Sequence, residues 1–462
     1  MLLVSGFQQT FAGEYHRTCN ANIGLQASYN YKHKYYAEFS GSLIHSARLA
    51  EGHRNAFSPS FTLGWNLAEE DFLKGSAFDE LMVSASGSIL NTDMGIDYYM
   101  YKGGYDMEGS GWGWYDGGSL KTSRSLRGAN EDLTFLKRKE LSANIRASLW
   151  KKMITADASF FVNSMEGAII SSGNLFPSYF DYSDTQTFLP YINYNNDRRM
   201  GFDFSLNYNT RFGEVDFSAG INGTYYATKA TKRDDSNYEN VYQYRQGKAI
   251  SSIWGYECLG FFNNEAEIAG APSQTALGGG IPKPGDLRYK DQNGDNIIDS
   301  KDQVALGQFN SPFTMGINLT AKYRNFTLFV LGTGNIGGQN LKKSSYYWVS
   351  GEDKYSKVVR GRWTEETAAT ATYPRLTTGN GNNNFTNSDF WMYKNNRFDL
   401  AKVQLTYDFP TSMLRGKLVN SLSVYVSGAN LLTISKEREH FETNVGSAPQ
   451  TRFYNLGVKA TF

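Results

Sequence analysis

The residues best suited to chemistry lie in one stretch, PGDLRYKDQNGDNIIDSKDQVALG. Oxygen-bearing groups recur there at every second position: Asp291, Asn293, Asp295, Ile297 through its carbonyl, Asp299, and then Asp302. These are the ligand positions of a calcium loop of about twelve residues, and hard cations favour clustered oxygens of this kind. Ile298 supplies the apolar anchor. Two positions depart from the pattern. Asn296 stands where a glycine is usual, although asparagine also tolerates positive φ. Asp302 stands where a bidentate glutamate is usual. The chemistry implied is a structural Ca2+; the alternative is a loop built from Asx turns with no metal.

Two aromatic groups offer a different chemistry. Gly111-Trp112-Gly113-Trp114-Tyr115-Asp116-Gly117-Gly118 interleaves rings with glycine, so Trp112, Trp114 and Tyr115 could stack on sugar rings or pack within a large surface loop. Trp363, beside Arg360 and Arg362, reads either as a substrate or partner contact or as an internal scaffold of its loop. No nucleophile–base pair, GxSxG or phosphate-binding loop is present. The five histidines, His16, His33, His45, His53 and His440, show no ligand spacing, and Cys19 and Cys258 form no metal or redox motif. The chain therefore reads as a non-enzyme.

The elements that must position these groups are strands. The 462 residues carry a net charge of +1, which gives no electrostatic case for nucleic acid. Mean hydropathy is −0.48, and no apolar run reaches the roughly 18 residues a membrane helix needs. A lipid-facing barrel needs an apolar residue only at every second position, so low hydropathy suits it. Aromatics reach 15%, with 31 Tyr and 30 Phe, as expected of strands and interfacial girdles.

Alternation recurs along the whole chain. Ile23, Leu25, Ala27, Tyr29 and Tyr31 share a face, as do Phe61, Leu63 and Trp65. Thr134 to Ala168 predicts a hairpin turning near Lys151-Lys152. Phe202 to Tyr208 and Val215 to Ile221 predict another, joined by Arg211-Phe212-Gly213-Glu214. Asp399 to Phe409 alternates throughout, setting Ala401, Val403, Leu405, Tyr407 and Phe409 against Lys402, Gln404, Thr406 and Asp408. A polar side chain at every second position is intolerable in a dry core and acceptable in a wet lumen. The last strand puts Tyr454, Leu456, Val458, Ala460 and Phe462 on one face, against Asn455, Gly457, Lys459 and Thr461. Long polar stretches near 91–127, 171–196, 230–310 and 337–396 break the rhythm, while the other connections are short. Short turns at one end and long loops at the other is the asymmetry of outer-membrane barrels. The reading is all-β: a transmembrane antiparallel β-barrel, one domain over 1–462, with roughly 14 strands.

The order of these segments, from FSPSFTLGWNLAEEDFL through GYECLGFFNNEAEI, the Asp-rich loop and SDFWMYKNNRFDLAKVQLTYDFP to the terminal strand, resembles the C-terminal barrel of SusC/RagA-type TonB-linked outer-membrane proteins. The resemblance covers nearly the whole chain. It implies that Phe462 ends a membrane-sorting strand. Barrels of this family are described with about 22 strands and a plugged lumen, so the chain is expected to be part of a larger barrel. MLLVSGFQQTFAGEYHR lacks the basic and apolar regions of a signal peptide, and no plug or TonB-contacting segment precedes the strands. The implied role is TonB-dependent import of oligosaccharides or peptides across the outer membrane, with a SusD-like lipoprotein as partner and TonB engaged through a plug outside this chain. Two other readings compete: a self-contained passive porin, and a soluble carbohydrate-binding β-protein.

Overall fold

The computed structural model describes residues 2–9, 18–106, 113–116, 119–122, 124–171, 173–183, 186–353, 355–414, 419–442 and 451–461. Fourteen strands form one antiparallel sheet, and each strand's neighbours in the sheet are its neighbours in sequence. In chain order they are β1 (Leu2–Gln9), β2 (Thr18–Tyr31), β3 (Tyr35–Ser46), β4 (Asn55–Asn66), β5 (Phe78–Thr92), β6 (Leu136–Leu149), β7 (Ile154–Ser171), β8 (Tyr191–Phe212), β9 (Val215–Lys232), β10 (Phe313–Tyr323), β11 (Phe326–Ile336), β12 (Arg397–Asp408), β13 (Ser421–Ile434) and β14 (Phe453–Thr461). The strand number matches the expectation from alternation. Among the described residues no helix is long and apolar enough to cross a membrane.

The contacts divide into two compact units, residues 1–204 with 226–237 and 245–250, and residues 205–225 with 238–244 and 251–462. In the first, the pairing registers a continuous apolar row, Tyr29–Ala37–Leu63–Ala85–Ala143–Phe160. The row displaced by one residue is nearly all polar: Ser28–Glu38–Thr62–Ser86–Ser142–Phe161. The second unit repeats the arrangement, with Phe217–Ala321–Leu328–Leu405–Val426–Leu456 on one face and Ser218–Thr320–Phe329–Gln404–Ser427–Asn455 on the other. Because side chains alternate with period two, one register places most of the apolar residues on the same side. The apolar face is bare: Leu141 is 65% exposed and Leu456 80%. An apolar surface of this extent is unfavourable in water and needs lipid against it.

Short turns join one set of strand ends. Gly213-Glu214 links β8 to β9, with φ of 58° at Gly213, and Arg324-Asn325 links β10 to β11. Arg211 and Phe212, expected in the first of these turns, belong to β8. The strand Asp399–Phe409, expected to alternate without a break, is irregular. Leu331 pairs with Lys402 and Gly332 with Leu400, so Ala401 is left over. Strict alternation would set Asp399 on the face of Val403 and Leu405. The bulge instead turns Leu400 to the apolar side and Asp399 to the polar side, where it accepts a hydrogen bond from Thr433 at 2.5 Å.

The other strand ends carry the long connections, and these are structured. The stretch near 91–127, expected to be a loop without period, holds short strands at Gly104–Asp106, Gly113–Asp116, Ser119–Thr122 and Arg124–Arg127. It contributes Ile96, Met100 and Tyr101 to a small core with Leu49, Ala50, Leu133 and Phe135. In the second unit, the β9–β10 and β11–β12 connections build a larger core around Tyr256, Leu287, Tyr289, Ile298, Tyr347, Tyr373 and Trp391. Among the described residues, β1 pairs on one side only, with β2, and β14 on one side only, with β13.

Candidate functional site

The Asp-rich loop is folded by its own carboxylates. Asp291 accepts from the backbone N–H groups of Gly294 at 2.6 Å and Asn296 at 2.8 Å. Asp295 accepts from the Ile297 N–H at 2.9 Å and from the Asn293 side chain at 2.8 Å. Asp299 accepts from Lys301 at 2.7 Å. Asp302 closes the loop by accepting from the N–H groups of Gln292 and Asp299, at 2.8 and 2.9 Å. Asn296 takes the left-handed conformation, φ 65°, that the glycine position requires. Ile298 is fully buried in the loop core, as expected of the anchor.

The electrostatics of the two best-placed acids differ. Burial pushes the Asp302 carboxyl up, against the two amides that hold its ionised form. Asp295 is held below its ordinary range by Asn293 and Ile297. Tyr242 stands near the same acids, and burial together with their negative charge raises its hydroxyl. Among the described residues no three His, Cys, Asp or Glu side chains converge as a metal ligand set. Each ionised carboxylate has about four acceptor sites, so the turn hydrogen bonds leave capacity for a cation.

The loop is set on a polar clasp that local reading of the sequence does not reveal. Gln274 donates to the Leu287 carbonyl at 2.9 Å and to Asn383 Oδ1 at 2.6 Å, and accepts from the Tyr289 N–H at 2.9 Å. Asn384 accepts from the Leu287 N–H and donates to Asp286, both at 2.8 Å. Arg375 pairs with Asp286 at 2.7 Å. The Tyr289 hydroxyl donates to the Asn383 carbonyl at 2.7 Å and the Trp391 indole to the Asn384 carbonyl at 2.8 Å. Buried polar groups in this number are tolerated because they satisfy one another. The only sequence signal was the polar run GNGNNNFTNSDFW.

Trp363 belongs to this construction. It is 7% exposed and lies against Gly285, where φ is 88° and a Cβ would collide with the indole. Its placement agrees with the internal-scaffold alternative. Trp112 and Phe462 lie outside the described residues. Trp114 and Tyr115 sit on the short strand Gly113–Asp116, opposite Lys121 and Leu120, and their side chains lie outside the described residues. Tyr454, Leu456 and Val458 present their side chains on the exposed apolar face of β14.

On the lumen side the polar wall is cross-linked. Gln26 bonds Glu38 at 2.7 Å, Ser159 bonds Asn144 at 2.6 Å, and Arg146 pairs with Asp157 at 2.7 Å. Such a surface offers hydrogen-bonding groups of both kinds, donors and acceptors, along one face of the sheet.

No family model matches the chain. It is 24% identical over 472 aligned residues to a TonB-dependent receptor of Formosa agariphila, an alignment covering 94% of this chain and 45% of that one. The chain is SusC/RagA-like over most of its length. To the TonB-dependent receptor SusC of Bacteroides thetaiotaomicron this SusC/RagA-like chain is 21% identical over 311 residues, 65% of its own length and 29% of the relative's. The RagAB peptide transporter structure superposes with a TM-score of 0.76 at 17% identity, covering 96% of this chain and 48% of that one. The SusC/RagA-like chain thus spans about half the length of the relatives it matches. TonB-dependent receptors are outer-membrane β-barrels, and the outer membrane is the location of this chain. That location leaves no place for the soluble reading.

Proposed function

We propose that the chain is the lipid-embedded wall and loop cap of a TonB-dependent importer, taking up oligosaccharides or peptides too large for passive porins. The observation that carries this reading is the alignment with TonB-dependent receptors along 94% of the chain. The one-sided pairing of β1 and β14 supports a larger barrel of about 22 strands, because an unpaired strand edge in lipid leaves backbone groups without partners. One domain over 1–462 then corresponds to the C-terminal part of that barrel. A SusD-like lipoprotein would sit over the loop core, and TonB would act on the barrel through a plug. The passive-porin reading lacks a supporting observation of this kind, and no catalytic role is proposed.

Peptide is favoured as strongly as glycan by what is known of relatives: RagAB is described as a peptide transporter, while aromatic and Asn-rich loops suit sugars. The Asp-rich loop is proposed to hold a structural Ca2+ that stiffens the cap. The test is substrate accumulation by cells carrying the protein, with and without TonB. TonB-dependent accumulation of an oligomer supports import; accumulation indifferent to TonB would establish a porin instead.

A further inference from the structure

One strand of the lumen wall, β6, carries Arg138, Glu140, Ser142 and Asn144 at every second position. With Asn163 of β7 and Arg199 of β8, they line a cavity of about 390 Å³. A second recess of about 230 Å³ shares Arg138, Asn163 and Arg199 and adds Asp197. Arg138 lies two residues into β6, directly after the long β5–β6 connection, so the recess opens at the loop end of the wall.

The larger cavity is lined by two guanidinia, Arg138 and Arg199, and two carboxylates, Glu140 and Asp203, and of the guanidinia only Arg138 is ion-paired. Glu140 is satisfied within the wall, accepting from Arg138 at 2.6 Å and from the Asn163 side-chain amide at 3.0 Å. Asp197 is taken by Arg233. Asp203 also lines the larger cavity, four residues and so roughly 13 Å further along β8 than Arg199. Arg199 has no ion-pair partner among the described residues, is exposed, and lines both recesses. What remains at the mouth is a guanidinium without an ion-pair partner beside a second one paired with Glu140. A guanidinium is a planar fork of N–H donors matched to a carboxylate.

We infer that Arg199, supported by Asn163 and Arg138, forms a carboxylate subsite in the lumen wall, and that the oligomer taken up is acidic. The inference rests on the importer reading and narrows its substrate class. Acidic peptides and uronic-acid oligosaccharides carry the same group, so the test separates them.

The test is equilibrium binding to the detergent-solubilised full chain by isothermal titration calorimetry. The probes are hexaglutamate and trigalacturonate, with hexaserine and maltotriose as neutral controls. One acidic probe is expected to bind, which identifies the source of the carboxylate. Arg199→Gln is expected to weaken it about tenfold, as for loss of one charge-assisted contact. Arg199→Lys should lose less, and Asn163→Ala should weaken the same probe without touching Arg199. No binding of either acid, an unchanged affinity in Arg199→Gln, or an equal loss for a neutral control overturns the subsite. TonB-dependent uptake is read separately in cells. Acid binding without uptake would sink the importer reading and leave the subsite standing. Uptake with affinities indifferent to Arg199 would do the reverse.

Discussion

Asn384 donates its side-chain amide to Asp286 at 2.8 Å, joining two connections 98 residues apart in the chain. The same side chain accepts from the Leu287 N–H, so one asparagine fixes the segment that leads into the Asp-rich loop. Asn384→Ala would leave Asp286 and the Leu287 N–H short of a partner in a buried setting, at about 1–3 kcal/mol for each such group. The expected result is faster proteolysis within 337–396, with the sheet's heat-modifiable migration in gels unchanged. Equal cleavage rates in the two proteins would show that the clasp does not hold the cap.

The two faces of β12 give a second expectation. Leu405 lies between Leu328 and Val426 on the apolar face, while Gln404 lies between Phe329 and Ser427 on the other. An arginine in the lipid near mid-membrane costs about 2–4 kcal/mol. Leu405→Arg should therefore lower the yield of folded protein in the outer membrane, and Gln404→Arg should not. Comparable yields for the two would reverse the assignment of the faces.

Acid should act late on the turn between β4 and β5. Glu70 accepts from Lys34 at 2.9 Å, the Tyr35 hydroxyl at 2.8 Å and the Trp65 indole at 3.1 Å, and the Lys34 ammonium is the largest cause holding its carboxyl down to about 2. A carboxyl depressed in the folded state stabilises it above the unfolded value of 4.5, and the contribution fades as pH falls from there toward about 2. Trp65 emission should follow that protonation, with a midpoint near 2, and Glu70→Gln should abolish the step. A midpoint near 4.5 would mean that the three donors do not act on Glu70.

Calcium at the Asp-rich loop would be read by terbium luminescence, sensitised by the neighbouring Tyr242. Emission is expected for the wild type and not for Asp302→Ala. Because burial raises the Asp302 carboxyl, protons should begin to compete with the ion above the ordinary aspartate range, so binding should weaken as pH falls. An Asp291→Ala variant adds a control. It removes the acceptor for the Gly294 and Asn296 amides and should loosen the loop even without metal. Emission indifferent to Asp302 would leave the loop as a set of Asx turns.

The strands and their faces were legible in the sequence because alternation is local: a run such as Ile23 to Tyr31 states its own period and its own apolar side. Strand number, tight turns and the anchor at Ile298 followed from the same short-range signals, as did the left-handed tolerance of Asn296. What local reading could not see depends on partners far away in the chain. The bulge that leaves Ala401 over and turns Asp399 from the apolar face exists only because β11 and β13 fix the register on either side. Gln274 and Asn383 meet across 109 residues, and Trp363 finds its place on Gly285 only once both connections are folded. Period-two patterning is written into each strand by itself. A buried polar clasp is settled by which donors and acceptors the tertiary fold brings together.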